Sequence, residues 1–253
     1  MDRFARPIAI LEFMFRTIYE AADSKLQVFW FCHAGAGSAS LVRSARHVSA
    51  PVTLNVASLP GREHRFRDGL TMSLDELVDQ FFEDLQPRVG APFVLIGHSF
   101  GSLMSYLLAQ KLTAAGTPPV SLTVMTLAAP DRVQFNPRTA HLSDEEFLDY
   151  LDNRFGSVPK SLRTNPEAIA LFLPIVRYDL RLLESYVHQP VQPLPIPLLA
   201  LAGSRDRAVN AEQMQQWQRF TSDSFALETI AGGHFFPTEN VQPIIQRTIE
   251  RLQ

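Results

Sequence analysis

The chain has 253 residues, a net charge of −3, 46% hydrophobic content and one cysteine. That length holds one large α/β domain, with or without an insertion, and buries a sizeable core. The charge balance lacks the basic face of a nucleic-acid binder, no apolar run reaches the roughly 18 residues of a membrane span, and a lone cysteine excludes an internal disulfide, which fits a reducing, cytoplasmic compartment.

In chain order, residues 7–16 are apolar, but Glu12 and Arg16 interrupt them and no small-residue cleavage site follows. They read as a strand or amphipathic helix in an N-terminal extension, residues 1–24, and not as a signal peptide. Apolar, β-rich runs predict strands at 26–32, 52–59, 93–96, 121–127, 198–202 and 225–230. The unbroken runs 93–96 and 198–202 suit strands buried on both faces, as in a parallel sheet. Ser73-Leu74-Asp75-Glu76 is a capping box that opens a helix to about Leu85. After Ser99, apolar residues at Phe100, Leu103, Met104, Leu107 and Leu108 fall on one helical face.

Between Leu127 and Leu198 no convincing strand appears, a stretch far longer than an ordinary connection. Ser143-Asp144-Glu145-Glu146 opens one helix to about Leu151, and Asn165-Pro166-Glu167 opens another, which Pro174 should interrupt before a third over 175–187. Residues 133–190 therefore read as a helical lid inserted over the strand ends, and four prolines from Pro190 to Pro197 as its stiff return. Asn210 caps a helix expected to reach Phe220, and a last helix runs from about Val241 to Leu252. Strands alternating with helices predict a doubly wound α/β fold with its site at the carboxyl ends of the strands.

The chemistry concentrates at Gly97-His98-Ser99-Phe100-Gly101, a G-x-S-x-G turn between a buried strand and a helix. Such a turn presents Ser99 as a nucleophile, and the glycines let strand and helix approach closely. The base and acid should follow in the order Ser, Asp, His. His234, in Gly232-Gly233-His234, follows the last strand; Asp206, in Gly203-Ser204-Arg205-Asp206, follows the one before it. Asp131 follows the strand after the nucleophile helix and is the rival acid. The oxyanion donors expected are the backbone N–H of Phe100 and of Ala34, in the glycine-rich loop Cys32-His33-Ala34-Gly35-Ala36-Gly37. That loop lacks the P-loop lysine and the full dinucleotide fingerprint. His98 reads as a packing residue and Cys32 as a small core residue; no metal-ligand spacing is present, so neither metal nor bound cofactor is expected. Arg62, Arg65 and Arg67 suggest either a solvated loop or a basic patch facing an acidic partner.

Phe31-Cys32-His33-Ala34-Gly35, Leu59-Pro60-Gly61-Arg62-Glu63, the pentapeptide around Ser99, Arg177-Tyr178-Asp179-Leu180 and Gly233-His234-Phe235-Phe236 together resemble the type II thioesterases, stand-alone α/β-hydrolases of nonribosomal peptide and polyketide biosynthesis. The resemblance runs from about Leu26 to the C-terminus. Cys32 stands where the family usually has proline, and Ala36 where it usually has a second glycine. The resemblance implies Ser99, Asp206 and His234 as the triad. It also implies hydrolysis of acyl or peptidyl thioesters on the phosphopantetheine arm of carrier domains, the arm being part of the substrate. A general carboxylesterase or lipase with the same triad is the alternative; a non-catalytic α/β binding module is the second.

Overall fold

A computed structural model describes residues 14–88, 90–133, 139–156 and 158–252. Its strands are β1 (Phe15–Glu20), β2 (Leu26–Phe31), β3 (Val52–Ala57), β4 (Phe93–His98), β5 (Ser121–Met125), β6 (Leu198–Gly203) and β7 (Phe225–Ile230). They form one sheet in the order β1-β3-β2-β4-β5-β6-β7. All neighbours from β3 to β7 pair in parallel, and β1 closes one edge antiparallel to β3. The fold is the doubly wound, mostly parallel α/β sheet expected.

The helices are α1 (Ala39–Ala45), α2 (Leu74–Leu85), α3 (Phe100–Ala114), α4 (Asp144–Phe155), α5 (Lys160–Arg163), α6 (Pro166–Ser185), α7 (Ala211–Gln215), α8 (Phe236–Glu239) and α9 (Val241–Glu250). Strand alternation splits the interior into two cores. In β4, Phe93 and Leu95 join α2, α3 and α6 in one; Val94 and Ile96 join α1 and α9 in the other. Every residue of β4 and β6 is buried, which is why both read as unbroken apolar runs.

Three expectations need correction. Pro174 does not interrupt its helix: α6 runs unbroken for 20 residues. Pro174 and Ala170, whose carbonyl loses its helical partner, are both exposed, so water can take that bond while Leu173, Val176, Leu180 and Leu183 hold the buried face. The helix capped by Asn210 ends at Gln215 and tightens into a 3₁₀ turn over Gln216–Phe220, which sinks Trp217 and Phe220 into the core. Strand β3 ends at Ala57 and β5 at Met125, each two residues short of the predicted end. Helix α1 was not anticipated; its N-cap Ser38 makes no side-chain capping bond, so it carries no start signal.

Within the N-terminal extension, the first strand buries Phe15 against Phe29, Phe31 and Phe81 in edge-on contacts. Most of the 7–16 segment, like residues 134–138 and 157 of the 133–190 block, lies outside the described residues. Among the described residues, no helix is long and apolar enough to cross a membrane.

Candidate active site

Ser99 stands between the end of β4 and the first turn of α3, with φ 54° and ψ −119°. A non-glycine residue holds such a backbone only when its surroundings fix it. Here Ser99 N–H donates to the Met125 carbonyl at 2.8 Å. The Ser102 hydroxyl, 2.8 Å from the Gly97 carbonyl, also receives the Met125 N–H at 3.0 Å. Ser102 thus pins the turn to β5, a role its place inside an apolar helix did not advertise. A Cβ on Gly101 would run into the Phe31 carbonyl, and one on Gly97 into α3. Both glycines are required by close approach, as the turn motif implied.

His234 and Asp206 come from the loops after β7 and β6. His234 Nε2 lies 3.0 Å from Ser99 Oγ, and His234 Nδ1 lies 3.0 Å from Asp206 Oδ2. The Asp206 carboxylate also accepts the N–H of Ala208 at 2.8 Å and of Val209 at 3.3 Å. These bonds aim the carboxylate, so the Nδ1–H of His234 donates to it and Nε2 is left to face the serine. The side chains of Asp206 and His234 are 0% and 3% exposed, so water does not compete for this chain of bonds. Asp131 is elsewhere: its carboxylate pairs with Arg219 at 2.8 Å and makes no bond to His234.

Two further histidines pack around His234. His98 Nε2–H donates to the His234 carbonyl at 2.9 Å, fixing the backbone of that loop. His33 packs edge-on against both His98 and Phe235. Burial, more than any neighbouring charge, pushes the His33 pKa down to about 4 and holds that of His98 well below its usual value. Both stay neutral near pH 7 and add no positive charge beside His234.

The glycine-rich loop is held from three sides. Gly35 N–H donates to Asp179 Oδ2 at 2.7 Å. Arg62 donates to the Ala36 carbonyl at 3.0 Å, and Glu63 accepts the Ala39 N–H at 2.7 Å and the Ser38 hydroxyl at 2.8 Å. The Ala34 N–H has no acceptor among the described residues, and Phe100 opens α3, where N–H groups lack helical partners. Of the three arginines, Arg67 is exposed, as a solvated loop residue would be, whereas Arg62 and Arg65 are neither of the things the sequence suggested. Arg62 and Arg65 are buried, and Arg65 binds Asp68 and the Ser58 carbonyl.

Ser99 and His234 open into a cavity of about 300 Å³. Its far wall comes from the helical block: Leu151 and Phe155 of α4, Leu162 of α5, and Phe172, Val176 and Leu180 of α6. Ser99 and His234 therefore face an apolar chamber suited to an acyl chain.

Residues 26–252 match the family model described as "Thioesterase domain". The chain is similar to the linear gramicidin dehydrogenase LgrE of Brevibacillus parabrevis, 32% identical over 90% of this chain and 89% of that one. It is similar to the gramicidin S biosynthesis protein GrsT of Aneurinibacillus migulanus, 28% identical over 91% and 90%. Among solved structures it resembles the type II thioesterase BorB from the borrelidin biosynthetic cluster, with a TM-score of 0.85, 29% identity and 96% and 98% of the two chains covered.

Proposed function

The chain belongs to the thioesterase domain family, and from that premise we propose that it hydrolyses acyl or peptidyl thioesters on the phosphopantetheine arm of carrier domains, clearing misprimed or stalled synthetases. One observation carries the reading: Ser99, His234 and Asp206 form a continuous hydrogen-bonded chain at the floor of an apolar cavity. The names tie LgrE to linear gramicidin, GrsT to gramicidin S biosynthesis and BorB to the borrelidin biosynthetic cluster. The word dehydrogenase in the first of these names has no counterpart in the residues here. The glycine loop lacks the dinucleotide spacing, and its Gly35 N–H is already bonded to Asp179.

In the first half-reaction Ser99 Oγ attacks the thioester carbonyl carbon and its proton passes to His234 Nε2. The N–H groups of Ala34 and Phe100 hold the oxyanion, each worth on the order of 10²–10³ in rate. Asp206 stabilises the imidazolium. The C–S bond breaks, and the arm leaves as a thiol with the proton from His234. Water then gives a proton to His234 and its oxygen to the acyl carbon, and collapse frees the acid and restores Ser99. Helices α4, α5 and α6 serve as the lid over this chamber, with the arm entering beside it.

The test is a panel of carrier domains loaded with different acyl groups, assayed beside free esters of equal chain length. Faster release from carriers, abolished in Ser99→Ala, is the expected result. A clear preference for free esters would make the protein a carboxylesterase, and full activity in Ser99→Ala would remove Ser99 as nucleophile.

A further inference from the structure

Through successive residues, helix α6 is fastened to α4 within the helical block and to the body of the protein. Arg177 binds the carbonyls of Leu142 and Ser143 and the Asp144 carboxylate at the start of α4. The Tyr178 hydroxyl donates to the Met72 carbonyl at 2.9 Å. Asp179, 1% exposed, accepts both ends of the Arg62 guanidinium at 2.7 and 2.8 Å. The same carboxylate takes the Gly35 N–H. Gly35 has φ +82°, and a Cβ there would strike Val176 and press on Phe172, both cavity-lining residues of α6. The loop that carries Ala34 is therefore seated directly on the helix that walls the acyl chamber.

We infer that Asp179 and Arg62 are positioning residues: their buried pair fixes the Ala34–Gly35 peptide so that the Ala34 N–H, and not the Gly35 N–H, faces the Ser99 oxyanion. The fork geometry matters. Arg62 spans the Ala36 carbonyl and both Asp179 oxygens, so the loop cannot rotate without breaking a charge-assisted bond. An acyl group resting on Phe172 and Val176 presses on the same element that sets the oxyanion donor. The chamber and the oxyanion hole thus form one mechanical unit, and a misfit acyl chain costs turnover as well as binding.

This rests on Ser99 being the nucleophile, so the wild type is first titrated with a fluorophosphonate that labels Ser99. Absence of both labelling and hydrolysis would sink the functional reading itself. Given an active wild type, Asp179→Asn is compared with the double variant Arg62→Met/Asp179→Leu, which leaves no unpaired buried charge and so remains foldable if the single variant is not. Rates are expressed per titrated site, and unfolding is followed separately. The expected result in both variants is a kcat lower by about 10- to 100-fold with KM changed only a few-fold, because the lost contact forms in the transition state. A boronic acid that forms a tetrahedral adduct on Ser99 should weaken by the same factor, while the product acid should not. Wild-type kcat per titrated site in either folded variant, or equal weakening of boronate and product acid, overturns the inference.

Discussion

The ring of Phe155, the last residue of α4, lies 4.7 Å from the imidazole of His234, centroid to centroid. A residue of the helical block thereby covers His234, the proposed base. The contact keeps the base dry, and it makes the block part of the site.

Truncating that contact should be felt in catalysis. Phe155→Ala is expected to lower kcat/KM for an apolar acyl substrate by about tenfold, the equivalent of one lost aromatic contact. Steady-state kinetics on one acyl-carrier substrate measure it, and an unchanged kcat/KM would show that the ring is incidental.

The two candidate acids separate cleanly. Asparagine at 206 presents an amide to His234 Nδ1 and favours the wrong tautomer, so Asp206→Asn should lose roughly 10⁴ in kcat. Asp131→Asn weakens only partly exposed pairs with Arg219 and Arg132 and should stay within about threefold of wild type. Single-turnover rates of the two variants decide it; a larger loss at 131 would reverse the assignment.

Acid should destabilise the fold through its buried histidines. Burial depresses the His33 pKa from 6.5 to about 4, so the unfolded chain binds more protons than the native one between those values. The stability tied to His33 is complete above about pH 6.5 and is lost as pH falls toward 4, a change on the order of 3 kcal/mol. His98 acts in the same direction. His33 Nδ1–H donates to the Ala34 carbonyl at 2.9 Å, a bond the amide of His33→Gln can still make, and urea titrations at several pH values should give a shallower slope for that variant. Equal slopes would mean that His33 takes no part.

Close packing at the elbow predicts a strong asymmetry between two glycines. Gly101→Ala drives a methyl into the Phe31 and Cys32 carbonyls and should cost about 2 kcal/mol or more. Gly90→Ala meets nothing within 4 Å and should change stability by less than about 0.5 kcal/mol. Chemical denaturation compares them directly, and a tolerant Gly101 would contradict the strand–helix approach described above.

The features legible in the sequence are those with a local cause. The turn at Ser99 announces itself because strand, glycines and helix adjoin. The capping boxes at Ser73 and Ser143 announce their helices because cap and partner lie three residues apart, and the cap residue Asn210 announces a third. Helix α1 stayed hidden because nothing at Ser38 marks its start. Pro174 misled because a proline rule is local, whereas the choice between kink and continuity was made by which side of α6 faces water.

By itself, then, the sequence determined that a serine is presented at the carboxyl edge of a parallel sheet, with a histidine able to serve it. Tertiary structure alone sets Asp206 apart from Asp131, because both follow parallel strands and only packing places one carboxylate beside His234 Nδ1. It alone turned Arg62 from a loop charge into the buried partner of Asp179, 117 residues away. Pairings at that separation leave no periodicity or spacing in the chain; they exist only once the sheet and α6 have brought the two side chains out of water together.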